Sequence, residues 1–355
     1  MNKEDAFKYL DEILFARGRR PRIDASAIPG GLGLLIRQFE RRSDMVLRHI
    51  NHQIPLKRRR EVHTCFCEEE TYGAFALSEG YDYVILKIGI VATLMHFCQC
   101  MMATPGLWVD VGMAVADVPN QERSAMLNIV AHSAWRALPQ RISDDRTRMA
   151  LGVTFMAECF DFIVFHEMAH IVLDHTRRRS DFDDLAFQAL ELVSDGHAAV
   201  WGVQKVLLFK DGMLGRYPEG ADLGYRAFHR SPDDAMLNYL LVMFFVFRLM
   251  DETFWSVDKL ANRKHPPAPV RFHAACLQVG SYFQSAEDNE TRDRFRKAMA
   301  QVWASGETIF SETLGRVPCG DLKERTLSEE NEQYYNLLCN RMEGFPPELL
   351  GVGEL

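Results

Sequence analysis

The chain has 355 residues, 47% hydrophobic and 25% charged, with a net charge of −8. That composition is globular and excludes a disordered or fibrous chain, and the length suits one large domain or two smaller ones. The acidic balance argues against nucleic acid or an anionic membrane as partner, and eight cysteines with no signal-peptide pattern point to a reducing, cytoplasmic setting.

Residues 4–17 read as a helix, followed by a basic, Gly- and Pro-containing connection to residue 33. Leu34, Leu35, Phe39, Met45, Leu47 and Ile50 give 33–53 the spacing of an amphipathic helix. Residues 61–88 read as two or three strands. The aromatic and β-branched run Tyr81–Leu86 is either an exposed edge able to accept an extended peptide or an inner strand. Helices are expected at 89–103 and 121–138, then at 145–176 and 184–209. Residues 211–230 form a Gly-rich loop long enough for a lid. Ser231-Pro232-Asp233-Asp234 opens a helix over 232–258, with Ser as cap and Pro in the first position. Its most apolar stretch, Leu240–Phe247, is too short to span a bilayer. Further helices are expected at 267–285 and 290–305. The weakly periodic tail 306–355 is expected to cover a cleft or bind a partner. The basic runs Lys57–Arg60 and Arg177–Arg179 sit where helices end, so they complement helix dipoles first.

The chemistry concentrates in His166-Glu167-Met168-Ala169-His170. Helical spacing puts His166 and His170 on one face, where two neutral imidazoles can hold one zinc ion. Glu167 projects about 100° around the helix, beside the ligand face, placed to act on a water rather than to ligate. The surrounding stretch from Met149 to Leu173 is apolar enough to be a core helix, so its polar groups need partners. The alternative is a core helix whose histidines are satisfied by hydrogen bonds. A catalytic zinc needs three protein ligands. Glu191 follows His170 by 21 positions, enough for a turn and an antiparallel helix, and is the expected third ligand. Asp195, four residues on, is expected to accept the distal ring N–H of a ligand histidine, His170 first. The alternative makes both ordinary exposed acids.

The H-E-x-x-H followed by E-x-x-x-D resembles the signature of gluzincin-type zinc metallopeptidases. The strand–turn–strand from Tyr72 to Leu86, and His265-Pro266 followed by Arg271, are similar to elements of HtpX-type and phage-exclusion Lit-type peptidases. The similarity covers about residues 60–280. HtpX-type enzymes carry long transmembrane helices, which this chain is expected to lack. The resemblance implies a zincin-like α+β fold, mostly helical, with a small antiparallel or mixed sheet on the H-E-x-x-H helix. It implies zinc-dependent hydrolysis of a protein or peptide substrate, in phage defence or stress response. It also implies an oxyanion donor from His265 or Arg271. Without it, Pro266, Pro267 and Pro269 read equally as a surface turn opening a helix.

Other candidates carry less. His175, five residues past His170, is expected to turn away from the ligand pair and serve the helix end, and His197 to face elsewhere than Asp195. Two H-x-C-x-C runs offer Cys65, Cys67, Cys98 and Cys100 for a second metal, although buried free thiols are the default. The expected organisation is an N-terminal helical region (1–58), a metallopeptidase domain (59–285) and a C-terminal helical region and tail (286–355). The expected function is a cytoplasmic zinc endopeptidase without nucleic-acid or membrane partners. The alternative is a non-catalytic, zinc-stabilised protein that binds a regulatory partner.

Overall fold

A computed structural model describes residues 3–28, 30–104, 106–108, 110–111, 145–209, 222–250, 265–285, 288–314 and 322–351. The strands are β1 (Val62–Cys67), β2 (Ala74–Glu79) and β3 (Tyr81–Lys87), in one mixed sheet of order β1-β3-β2. β3 runs parallel to β1 and antiparallel to β2. The β2–β3 hairpin turns at Gly80, whose φ of +66° suits a residue without Cβ. β3 is therefore the inner strand, the second of the two readings open for that run. Tyr83 and Ile85 face α1 (Lys3–Ala16), while Val84 and Leu86 enter the main core. A strand buried on both faces reads as a continuous apolar run. α1 meets that sheet face with Ala6, Leu10, Ile13 and Leu14, one helical stripe.

Behind the sheet lie α2 (Gly30–Gln53), α3 (Ile88–Ala103) and the central helix α4 (Arg146–Val172). Asp145 caps α4, its carboxylate accepting from the Thr147 and Arg148 amides. From Thr154 to Val172 every residue of α4 is buried. A helix apolar on all sides belongs in a core. By length and composition alone α4 could cross a membrane, but 83% of its most apolar window is buried inside the protein, as in a core helix. α4 ends at Val172, and Asp174 reverses the chain with a φ of +58°. Arg60 and Arg177 both bind the Asp174 carboxylate. α5 (Asp184–Phe209) then returns antiparallel against α4, its first turn capped by Asp183, which accepts the Ala186 amide at 2.7 Å.

The remaining helices are α6 (Asp222–Phe228), α7 (Pro232–Met250), α8 (Ala268–Ser285), α9 (Asn289–Leu314), α10 (Leu322–Thr326), α11 (Glu329–Met342) and α12 (Pro347–Leu350). Ser231 caps α7 by accepting the Asp234 amide. Part of the expected 211–230 loop is helix α6, while 210–221 and the expected helices at 121–138 and 251–258 lie outside the described residues. The tail is also more ordered than its periodicity suggested. α9 runs on to Leu314, and α11 packs Tyr334 and Leu338, one turn apart, against Ala189, Leu192, Val270 and Ala274. Helices of four or five residues, like α10 and α12, are too short to show a period.

Midway along the α4–α5 contact sits a buried charge cluster. Lys205 Nζ donates to Glu158 Oε2 at 2.6 Å and to Asp161 Oδ2 at 2.5 Å. Arg42 of α2 donates to Asp161 through Nε and Nη2, at 2.6 and 2.8 Å, and to the Tyr225 hydroxyl at 2.7 Å. Burial pushes the Asp161 carboxyl up, but Arg42 and Lys205 outweigh it and hold it below its ordinary range. Such a group contributes stability above its unfolded value of about 3.9 and loses it as pH falls through the lower folded value. Lys205→Met is expected to destabilise the fold by about 3–5 kcal/mol at pH 7, by leaving buried carboxylates short of a partner. The difference should shrink below about pH 4, as the carboxyls protonate. Urea unfolding at both pH values checks this, and an unchanged midpoint at pH 7 contradicts it.

Candidate metal centre

The antiparallel α4–α5 pair brings three donor atoms together. His166 Nε2 and His170 Nε2 are 3.1 Å apart on one face of α4. From α5, Glu191 Oε2 lies 3.4 Å from His166 Nε2, and Oε1 lies 3.2 Å from His170 Nε2. All three residues are buried, and they form the one group of three or more metal-binding side chains among the described residues. A tetrahedral ion with bonds of roughly 2.0–2.1 Å holds neighbouring donors about 3.3 Å apart. The imidazole–imidazole separation matches that edge, the Glu191 carboxylate presents one oxygen to each imidazole nitrogen at a like distance, and one ligand atom from each residue lies within 4.8 Å of the others. Two imidazoles with one carboxylate form a donor set suited to zinc. The group can therefore hold a metal ion.

The shell behind the donors differs from expectation in two places. Asp195 serves His166 and not His170: its Oδ1 lies 2.9 Å from His166 Nδ1, in a contact angled off the ring N–H direction. The reason is direction. Along antiparallel helices, a step forward on α5 is a step back on α4, so the acid beyond Glu191 meets the earlier histidine. The second difference is His175. It was expected to face away, yet its Nδ1 lies 3.1 Å from His170 Nδ1. The helical wheel stops applying at Asp174, where the chain reverses and folds His175 back under His170. Phe187 of α5 stacks on the His170 ring with centroids 5.8 Å apart, which further limits its rotation. His197 turns to the Leu350 carbonyl, 3.3 Å from its Nε2.

Arg271, at the start of α8, donates to Asp195 through Nε at 2.7 Å and Nη2 at 2.8 Å. Nη2 is also 3.5 Å from Glu191 Oε2. The guanidinium is thus committed to the two carboxylates of α5 in a bidentate geometry, and holds them toward the histidines. His265 stands at the mouth, largely exposed, with Nδ1 3.1 Å from Glu191 Oε2. Pro266 and Pro267 stiffen the segment that carries it into α8.

These groups open onto a cleft of about 880 Å³. Its floor includes Phe162, Ile163 and Glu167, one wall is the whole of β2, and the rim carries Arg17, Arg19, Arg177 and Arg179. β2 has no strand partner on its cleft side among the described residues, so its main chain faces the opening. Among the described residues, Cys65, Cys67, Cys98 and Cys100 form no second metal-binding group. Cys65 and Cys67 pack beneath α1, while Cys98 lies in the main core and Cys100 Sγ contacts His96 Nε2 at 3.4 Å.

Electrostatics separate the two glutamates. Burial raises Glu167, and the neighbouring imidazoles do not fully offset it. Burial also opposes charge on Glu191, but His265, His170 and His166 outweigh it and hold that carboxyl well below its ordinary range. Burial likewise opposes charge on His166, yet Asp195 and Glu191 push it up to about 10. His175, fully buried, is held well below the imidazole range, chiefly by burial and then by His170.

Set against protein-family models, curated proteins and solved structures, the chain matches none.

A cation entering this centre must displace the His166 proton at neutral pH. Calorimetric titration with Zn²⁺ at pH 7, in buffers of different ionisation enthalpy, is expected to show release of about one proton per ion and weaker binding as pH falls. A heat independent of the buffer contradicts this.

Proposed function

We propose that the chain is a zinc-dependent peptidase of the gluzincin kind, zincin-like in fold, that hydrolyses a protein or peptide substrate laid along β2. The observation that carries this is the set of donor separations at His166, His170 and Glu191, with a separate buried carboxylate, Glu167, lining the same cleft. A zinc ion held there supplies Lewis acidity and brings the pKa of a bound water to roughly 7.

Everything else falls to the chain's own side chains. Glu167 takes the proton of the attacking water and returns it to the leaving nitrogen. Burial favours its protonated form, which suits a group that must hold a proton between two steps. His265, the donor at the mouth not locked into the α5 carboxylates by a bidentate contact, is placed to stabilise charge developing on the carbonyl oxygen. Arg271 positions the centre through Asp195 and Glu191. The free edge of β2 offers main-chain donors and acceptors to an extended segment, a mode that binds with little sequence preference. The site takes a polypeptide in extended form, and stress response or phage defence, in a cytoplasmic setting, are the roles such a peptidase fits.

Glu167→Gln keeps the three ligands and removes the base. It is expected to leave zinc content unchanged and reduce hydrolysis by about 10²–10⁴-fold. Mapping new protein N-termini in cells expressing each form supplies the substrates and the comparison. Identical sets of N-termini from both forms would overturn the peptidase proposal and favour a zinc-stabilised protein that binds a regulatory partner without cutting it.

A further inference from the structure

Beneath the metal centre lies a chain of hydrogen-bonding groups that catalysis as described does not use. His170 Nδ1 meets His175 Nδ1 at 3.1 Å, and His175 Nε2 meets the Leu349 carbonyl of α12 at 2.8 Å. Ser194 Oγ also lies 3.3 Å from His175 Nδ1. The turn that provides the carbonyl is held on either side as well. Arg58 donates to the Glu348 carbonyl at 3.0 Å, and His197 Nε2 lies 3.3 Å from the Leu350 carbonyl. Three successive carbonyls of one short helix thus each meet a donor-bearing side chain, and the middle one connects to a metal ligand.

Proton positions along this chain follow from donor and acceptor rules. A carbonyl only accepts, so His175 must carry its hydrogen on Nε2. His175 is fully buried, and its ring nitrogens face His170, Ser194 and a carbonyl, none of them anionic. A neutral imidazole has one N–H, which leaves His175 Nδ1 as an acceptor. His170 Nδ1, at 3.1 Å, complements that lone pair when it carries the hydrogen, with Ser194 Oγ as a second donor in reach, and His170 Nε2 then keeps the lone pair that a metal needs. That Nε2 is the atom facing His166 and Glu191.

We propose that His175 is a positioning residue that ties the metal-binding tautomer of His170 to the Leu349 carbonyl, so that metal affinity and docking of the 347–350 turn are coupled. The proposal rests on the metal centre but not on peptidase activity. Coupling is reciprocal: if the docked turn favours the binding tautomer, a bound ion favours the docked turn by the same factor.

Zinc affinity measured against a chromophoric chelator tests it with two full-length variants. His175→Phe cannot accept from His170 and is expected to lose about 10–100-fold in zinc affinity, the usual cost of removing such a partner. His175→Gln, whose amide can accept from His170 and donate to Leu349, is expected to stay within a few-fold of wild type. Histidine ¹⁵N shifts of the wild-type protein give the tautomers directly and do not depend on either variant folding. Hydrogen on Nε2 of His175 and on Nδ1 of His170 is expected. Adding Zn²⁺ should also slow amide exchange at 347–351 in wild type. Unchanged affinity in His175→Phe, or hydrogen on Nδ1 of His175, overturns the proposal. Absence of zinc binding by wild type would instead overturn the metal centre on which it rests.

Discussion

Burying charge between α4 and α5 is the constraint on which the rest of the structure depends. These two helices pack through an interior otherwise filled by Phe, Leu, Val and Met, yet their contact carries Glu158, Asp161, His166, His170, Glu191, Asp195 and Lys205. Each would be costly to desolvate alone. The cost is met in two ways. Toward the middle of α4, Lys205 and Arg42 neutralise Glu158 and Asp161, a closed set that is already complete. At the C-terminal end, Arg271 answers Asp195, but His166, His170 and Glu191 converge on one point with their donor atoms toward each other. The first cluster fixes the register of the helices. The second uses that register to bring donors from two elements within a metal's reach.

The sheet and α8 make this centre accessible. β2 places a free strand edge along the cleft, and α8 enters through a Pro-stiffened segment that brings His265 and Arg271 to Glu191 from the opposite side. The same donors would be inert if sealed in the core. The cleft beside the unpaired edge of β2 opens them to solvent instead.

Much of the centre was legible because it is written in helical periods. His166 with His170, and Glu191 with Asp195, are pairs at i and i+4, and the capping signals at Asp183 and Ser231 fall where the helices begin. A mostly helical chain with a small sheet was legible for the same reason. What escaped depends on direction or on distance along the chain. The partner of Asp195 follows from antiparallel packing, which one helix's periodicity cannot show. His175 escaped because a single residue, Asp174, leaves helical geometry before it. The Leu349 carbonyl is a main-chain group some 174 positions from His175 and leaves no trace in side-chain pattern. The Tyr81–Leu86 run carried a usable signal, since unbroken apolarity in a strand marks burial on both faces rather than an edge.

Metal content decides the central claim, that His166, His170 and Glu191 form one metal centre. Native mass spectrometry of the purified chain, with zinc supplied and weakly bound ions removed, is expected to show one zinc per wild-type chain and its loss from both His170→Ala and Glu191→Ala. Undiminished zinc in either variant, or none in the wild-type chain, would contradict the account.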